Sequence, residues 1–212
     1  MAANPSHELD PLNLLPTGHE RAMLLPSERL LLYALVLAFQ PLRVLEIGFC
    51  QGGSASIMLG ALQRRKSARL VSIGPCPEVP VNLVNHPQFK CVAGRSPDAI
   101  AEAVGLLGGS LDFCFIDADH SENAVFQDST AIVAHLEPGG YILYHDCYYP
   151  PVAHGITRFV AKHREFMDAG IIGRFGRHIG GSHWGGLRLI SRSADLEECE
   201  PRSSSAKLEV DQ

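Results

Sequence analysis

The chain has 212 residues, a size typical of one α/β domain and long enough to bury a full core. Apolar residues make up 46% and charged residues 19%, which excludes an intrinsically disordered chain. The net charge of −5 argues against duplex nucleic acid as the main partner, because phosphate binding needs a clustered positive field.

Residues 1–24 are polar and proline-containing and read as an N-terminal arm or substrate-side cap. Pro26-Ser27 followed by ERLLLYALVLAF predicts a helix with Ser27 as its N-cap. An alternation follows: strand 43–47, helix 54–65, strand 69–73, strand 89–93, helix 97–107, strand 111–116, helix 121–135, strand 141–144 and helix 156–169. Two more strands, 174–179 and 187–190, are joined by GGSHWGG with no helix between them, which makes one of them antiparallel. The expected fold is α/β, a three-layer Rossmann-like sheet, mostly parallel with one antiparallel strand near the C-terminus. Residues 25–192 are expected to form this domain and 193–212, polar and poor in aromatics, a disordered tail.

The six cysteines (50, 76, 91, 114, 147 and 199) form no CxxC pair and have no zinc-finger spacing. The N-terminus lacks a charged region followed by an apolar one, and the longest apolar run, 30–39, is too short to span a bilayer. A reducing, cytoplasmic location is expected.

The segment VLEIGFCQGGSASIML passes from strand to helix through Gly48, Gly52 and Gly53, with Ser54 opening the helix. Such a loop lets backbone approach a ligand and offers unpaired N–H groups to an anion; a simple tight turn is the alternative. It matches neither the dinucleotide GxGxxG spacing nor a P-loop. Glu46 closes the strand just before the loop. A buried carboxylate there needs a partner, either an ammonium group or loop N–H groups.

EIGFCQGGS resembles the first motif of class I S-adenosylmethionine (SAM)-dependent methyltransferases, with spacing similar to the metal-dependent catechol and caffeoyl-CoA O-methyltransferase branch. FIDADHS and PGGYILYHD resemble the small-molecule methyltransferases that include macrolide-sugar enzymes and cephalosporin-biosynthesis proteins. The resemblance spans residues 25–190. It implies a SAM site built from Glu46, Gly48, Cys50, Gly52, Gly53, Ser54, Gly74, Arg95, Ser96 and Asp117. It also contains a departure: the family usually ends its second strand with an acid that holds the ribose hydroxyls, and here that position is Gly74. Glu78 reaching back, a different ligand, or lost activity remain open. An aspartate at position 74 is expected to tighten cofactor binding, and a valine at Gly52 to intrude on ligand space.

Asp117-Ala118-Asp119-His120 ends one strand and His145-Asp146 ends the next. Parallel strands deliver their ends to one crevice, so these groups are expected to meet there, and a divalent cation would offset their repulsion. By resemblance, Asp117, His145 and Asp146 occupy metal-ligand positions, for Mg²⁺, Mn²⁺ or Fe²⁺, while His120 and Asp119 fall where catalytic bases sit. His145 is also a candidate catalytic group. The alternative is a helix cap plus a hydrogen-bonded pair. Tyr148, Tyr149 and Trp184 are expected near the substrate mouth.

The function this implies is SAM-dependent, metal-assisted O-methylation of a small molecule. Its rivals are metal-dependent oxidation in the same crevice, with His120 as a second imidazole, and a degenerate binding protein. A small-molecule substrate is the expected partner, with no nucleic acid and no membrane; homo-oligomerisation stays open.

Overall fold

The computed structural model describes residues 10–75, 78–173, 176 and 184–194. Its centre is a seven-stranded sheet: β1 (Arg43–Ile47), β2 (Arg69–Gly74), β3 (Phe89–Ala93), β4 (Leu111–Ile116), β5 (Leu136–Tyr144), β6 (Phe166–Ile171) and β7 (Arg188–Arg192), in the order β3-β2-β1-β4-β5-β7-β6. β7 alone runs antiparallel, pairing with both β5 and β6. The fold is thus the mostly parallel α/β sheet that the alternation implies.

Strand periodicity splits the core into two layers. Leu45, Ile47, Val71, Ile73, Cys114, Ile116, Ile142 and Tyr144 face one side, where α4 (Ile100–Leu107), α5 (Glu122–Ile132) and α6 (Pro150–Lys162) cover them. Val44, Leu70, Phe113, Phe115 and Leu143 face the other, under α1 (Pro26–Phe39), α2 (Gly53–Leu62) and the single turn α3 (Val81–Val84). Glu46 and Ser72, partners in the β1–β2 register, share the parity of Val44 and Leu70 and so point toward α2.

Several boundaries differ from the sequence reading. α1 begins at Pro26 with Leu25 as N-cap, and the Glu28 carboxylate, not Ser27, accepts the Leu25 N–H at 2.8 Å. The last helix lies a turn and a half earlier than expected, starting on Pro150 as prolines favour. Residues 166–169, expected as its end, belong to β6, held by pairing to β7. The predicted strand 174–179 lies, apart from Gly176, outside the described residues, as do Cys76, Cys199 and the tail from 195 onward. Residues 10–24 are docked rather than loose. Leu15, Ala22 and Leu24 are buried, Pro16 packs on Gly60, and the Ala22 backbone lies against Gly53 at the start of α2. Among the described residues no helix is long and apolar enough to cross a membrane.

Strand order reverses between β2-β1 and β4-β5, so the crevice for a ligand opens between the carboxyl ends of β1 and β4. Two glycines set its shape. Gly48 has φ +119°, and a Cβ there would overlap the Asp117 carbonyl, so the ends of β1 and β4 can meet only at glycine. Gly48 and Phe49 donate their N–H groups to Ile73 O, folding the loop across the end of β2. A Cβ on Gly74 would overlap the Phe49 carbonyl. This reverses the expectation for an acid at 74, since the loop already occupies the space a side chain would need. Gly74→Asp is predicted to destabilise the fold by at least the 1–3 kcal/mol typical of overpacking, roughly, and to weaken adenosyl-ligand binding with it. Thermal unfolding and calorimetric titration of the variant check both effects.

Candidate functional site

Two cavities meet at the switch point and share Gly48, Cys50, Asp117 and Ala118. The larger, about 490 Å³, runs from Gly48 and Gly74 to Gly94, Arg95, Ser96 and, on α5, Asp128. The smaller, about 220 Å³, lies between the N-terminus of α2 and the strand ends, and is lined by Arg21, Gln51, Gly53, Ser54, His120, His145 and Asp146. The larger alone falls within the size range of small-molecule sites.

The glycine-loop residues Gly48, Cys50, Gly52, Gly53 and Ser54 line these cavities, as do Gly74, Arg95, Ser96 and Asp117. Glu46 does not. It is fully buried, and its two carboxylate oxygens accept hydrogen bonds from Ser54 Oγ and Ser72 Oγ. These two hydroxyls, not the loop N–H groups, are its partners within the protein. Burial pushes the Glu46 carboxyl up to about 7, the two serine hydroxyls easing the shift only in part. Glu78 lines a separate cleft with Arg21, Gln51 and Pro80 and is not among the residues that line the larger cavity. At Gly52 (φ +72°), a Cβ would meet Leu83 at 2.6 Å and Phe49 at 3.2 Å, so a side chain there disturbs packing rather than entering ligand space.

At the strand ends, Asp146 accepts the Gly185 N–H at 3.0 Å and has φ +53°, a left-handed conformation that aspartate adopts more readily than most residues. Its Oδ2 stands 2.7 Å from His120 Nε2, and Asp117 Oδ1 stands 3.8 Å from the same nitrogen. One donor atom each of Asp117, His120 and Asp146 lies within 4.8 Å of the others, a spacing that could hold a metal ion. The set expected from sequence contained His145 in place of His120. His145 is turned inward: Nδ1 lies 3.2 Å from Asp117 Oδ1 and Nε2 lies 3.1 Å from Glu28 Oε2. Glu28 also accepts the Gly186 N–H at 2.5 Å, so this one carboxylate ties α1 to β5 and to the segment entering β7. Asp119 is exposed, and its Oδ1 accepts the Ser121 N–H at 2.8 Å just ahead of α5. Ser121 itself caps that helix.

Charge follows this geometry. Hydrogen bonds to Asp117 and Asp146 push the His120 imidazole up to about 10, against burial. Burial works to depress His145, but the Asp117, Asp146 and Glu28 carboxylates outweigh it and hold the ring well above its ordinary value. Burial likewise works to raise Asp117, Asp146 and Glu28, yet the histidines and hydrogen bonds lower all three, Asp117 to about 2. The two carboxylates therefore favour the charged imidazole of His120. Of the aromatics, Tyr149 lines a shallow cleft with Asp119 and His120 and stacks on Trp184 (centroids 3.9 Å apart, 19° between planes), whereas the Tyr148 hydroxyl donates to Gly173 O.

Sequence reasoning missed Glu28, Arg21 and Asp128. Glu28 shares the four-residue spacing of the buried Leu32 and Val36, and Asp128 lies on the buried face of α5 with Val125, Ser129 and Ile132. Those periodicities were the available signal.

Residues 45–147 match the family model described as a methyltransferase domain. The fold of the chain is similar to an O-methyltransferase from Bacillus cereus in complex with S-adenosylhomocysteine (SAH), at 19% identity and TM-score 0.63, covering 79% of this chain and 81% of that one. It is similar also to the O-methyltransferase TomG from Streptomyces achromogenes, involved in tomaymycin synthesis, in complex with SAM (18%, TM-score 0.57, 87% and 90% covered). A third is the MycE methyltransferase of the mycinamycin pathway, in complex with Mg, SAH and mycinamycin VI (17%, TM-score 0.54, 80% of this chain and 50% of that one). No curated protein matches the chain by sequence. The likeness to these solved structures shows a shared fold.

The buried Glu46 carries a measurable consequence. Its carboxyl holds a proton more tightly folded than unfolded, so its contribution to stability is full below about pH 4.5 and is lost as pH rises to about 7. Glu46→Gln keeps a donor and an acceptor for the two serines without the titration. Relative to the parent, the variant should gain on the order of 2–3 kcal/mol between pH 5 and pH 8. Urea unfolding of both proteins at the two pH values measures this difference.

Proposed function

We propose that this chain transfers a methyl group from SAM to a hydroxyl of a small molecule, with a divalent cation held by Asp117, His120 and Asp146. The observation that carries this reading is the convergence of those three side chains at the switch-point crevice, beside the glycine-loop cavity. Two of the structurally similar proteins are O-methyltransferases bound to SAH or SAM, and a third, the MycE methyltransferase, is bound to Mg, SAH and mycinamycin VI.

In this reading the amino-acid end of SAM lies in the smaller cavity, where the N–H groups that open α2 face its carboxylate. The nucleoside end extends into the larger one. When bound, the cation lowers the pKa of the substrate hydroxyl. One imidazole among two carboxylates suits Mn²⁺ or Fe²⁺ as well as Mg²⁺. Asp119 takes the hydroxyl proton. It is exposed where the larger cavity meets the shallow cleft, and its Oδ1 is held by the Ser121 N–H. His145, bridged between Glu28 and Asp117, is a positioning residue that fixes the Asp117 and Asp146 carboxylates. The stacked Tyr149–Trp184 pair flanks the mouth and offers a planar surface to a substrate ring.

Asp146→Asn is the informative variant. Asparagine tolerates the left-handed backbone at this position, which alanine does not, so the fold is kept. Mn²⁺ binding, read by calorimetry or electron paramagnetic resonance, and metal-stimulated SAH formation with a panel of phenolic and sugar-bearing acceptors should both be lost. SAH binding should persist, weakened by no more than about tenfold, since Asp146 lines the smaller cavity but not the larger one that takes the nucleoside. Metal-independent turnover that survives in the variant would refute the assignment of the cation.

A further inference from the structure

Glu28 lines neither cavity at the switch point and takes no part in the proposed reaction, yet it is 1% exposed. Its place in the first turn of α1 explains one contact, the Leu25 N–H that Oε2 accepts at the start of the helix. A carboxylate can do that from the surface. Burying it is costly unless further donors compensate. Two that do so lie 117 and 158 residues away: His145 Nε2 at 3.1 Å and the Gly186 N–H at 2.5 Å.

Both donors lead into the site, by separate routes. The ring that Glu28 holds at Nε2 presents its Nδ1 3.2 Å from Asp117 Oδ1 and 3.5 Å from Asp146 Oδ2. Two carboxylates repel when nothing lies between them, and here one imidazole nitrogen draws an oxygen of each to the same point. The second route is backbone. Gly185, next to Gly186, donates its N–H to the other oxygen of Asp146 at 3.0 Å, and Trp184 precedes it, stacked on Tyr149. This segment has little room to shift: a Cβ on Gly185 would meet Glu28 Oε1 at 2.8 Å, and one on Gly186 would meet the Tyr148 ring at 2.5 Å. We propose that Glu28 is a positioning residue for the mouth of the site, fixing the cation-binding acids through His145 and the aromatic platform through Gly186. The inference rests on the cation reading and extends it to a residue of α1 that touches neither cation nor acceptor.

The test titrates Mn²⁺ alone by calorimetry and follows the fluorescence of Trp184, the chain's single tryptophan. Glu28→Gln keeps the length of the side chain but turns an amide N–H₂ toward groups that need an acceptor. It should weaken Mn²⁺ by about 10- to 100-fold, the usual effect of losing the partner behind a metal site. Acrylamide should quench Trp184 more strongly in the variant than in the parent. SAH affinity should stay within about threefold of the parent, since Glu28 lines neither cavity, and this retention shows a folded variant. In a His145→Gln background, Glu28→Gln should weaken Mn²⁺ by less than about threefold more, because the route through the imidazole is already cut. A merely structural role predicts losses that add in full. Such additivity, unchanged Mn²⁺ affinity in Glu28→Gln, or unchanged quenching of Trp184 overturns the proposal. If Glu28→Gln fails to fold, the parent decides: with ¹⁵N-labelled histidine and saturating Mg²⁺, the His145 Nε2 proton should exchange slowly with water, and an absent or fast-exchanging proton overturns the proposal. A parent that binds no Mn²⁺ removes the cation reading, and this inference with it.

Discussion

The site is organised around one buried carboxylate, Glu28. It reaches from the first turn of α1 to His145 at the end of β5 and to the backbone of Gly186, where the chain enters β7. His145 carries the connection onward to Asp117 and Asp146, and His120 closes it at the surface. Three carboxylates and two imidazoles thus form a continuous chain from core to crevice. Burying any one of these charges alone would be prohibitive; together each supplies the partner the next one needs. Removing Glu28 would leave a protonated His145 facing two acids without its inner counter-charge, so a helix outside the crevice helps decide the protonation of the groups inside it.

The second constraint is backbone proximity. The loop after β1 folds across β2, bonding to Ile73 O, while the end of β1 presses on the end of β4. Gly48 and Gly74 are the positions at which these approaches leave no room for a Cβ. The absent ribose acid at position 74 is then a steric matter rather than a simple loss. Drawing the loop tight against β2 removes the space from which a carboxylate would reach the sugar. In the proposed SAM reading, recognition of the cofactor would rest on backbone groups and on the helix N-terminus instead.

The arm adds the third element. By covering the start of α2 through Ala22 and placing Arg21 on the wall of the smaller cavity, residues 10–24 make the site a walled crevice rather than an open sheet edge. Enclosure lowers the local dielectric and strengthens every electrostatic contact that a ligand makes there.

Much of this was written in local sequence. Apolar runs alternating with amphipathic segments imply a parallel sheet with both faces covered, because periodicity is a local property. The glycine loop and the acid-rich strand ends mark the crevice, because a strand that ends in charge must open to something. Local pattern could not decide which histidine turns inward. His120 and His145 are chemically alike, and the choice depends on Glu28, more than a hundred residues from His145 in the chain and brought beside it only by the packing of α1. The same holds for Glu46, which two serines from separate elements claim, and for Gly74, whose meaning lies in the carbonyl of Phe49 pressed against it. Residue type and spacing determined where the chemistry gathers. Tertiary contact decided which atoms face the ligand and which face each other, because burial and pairing are settled between segments distant in sequence.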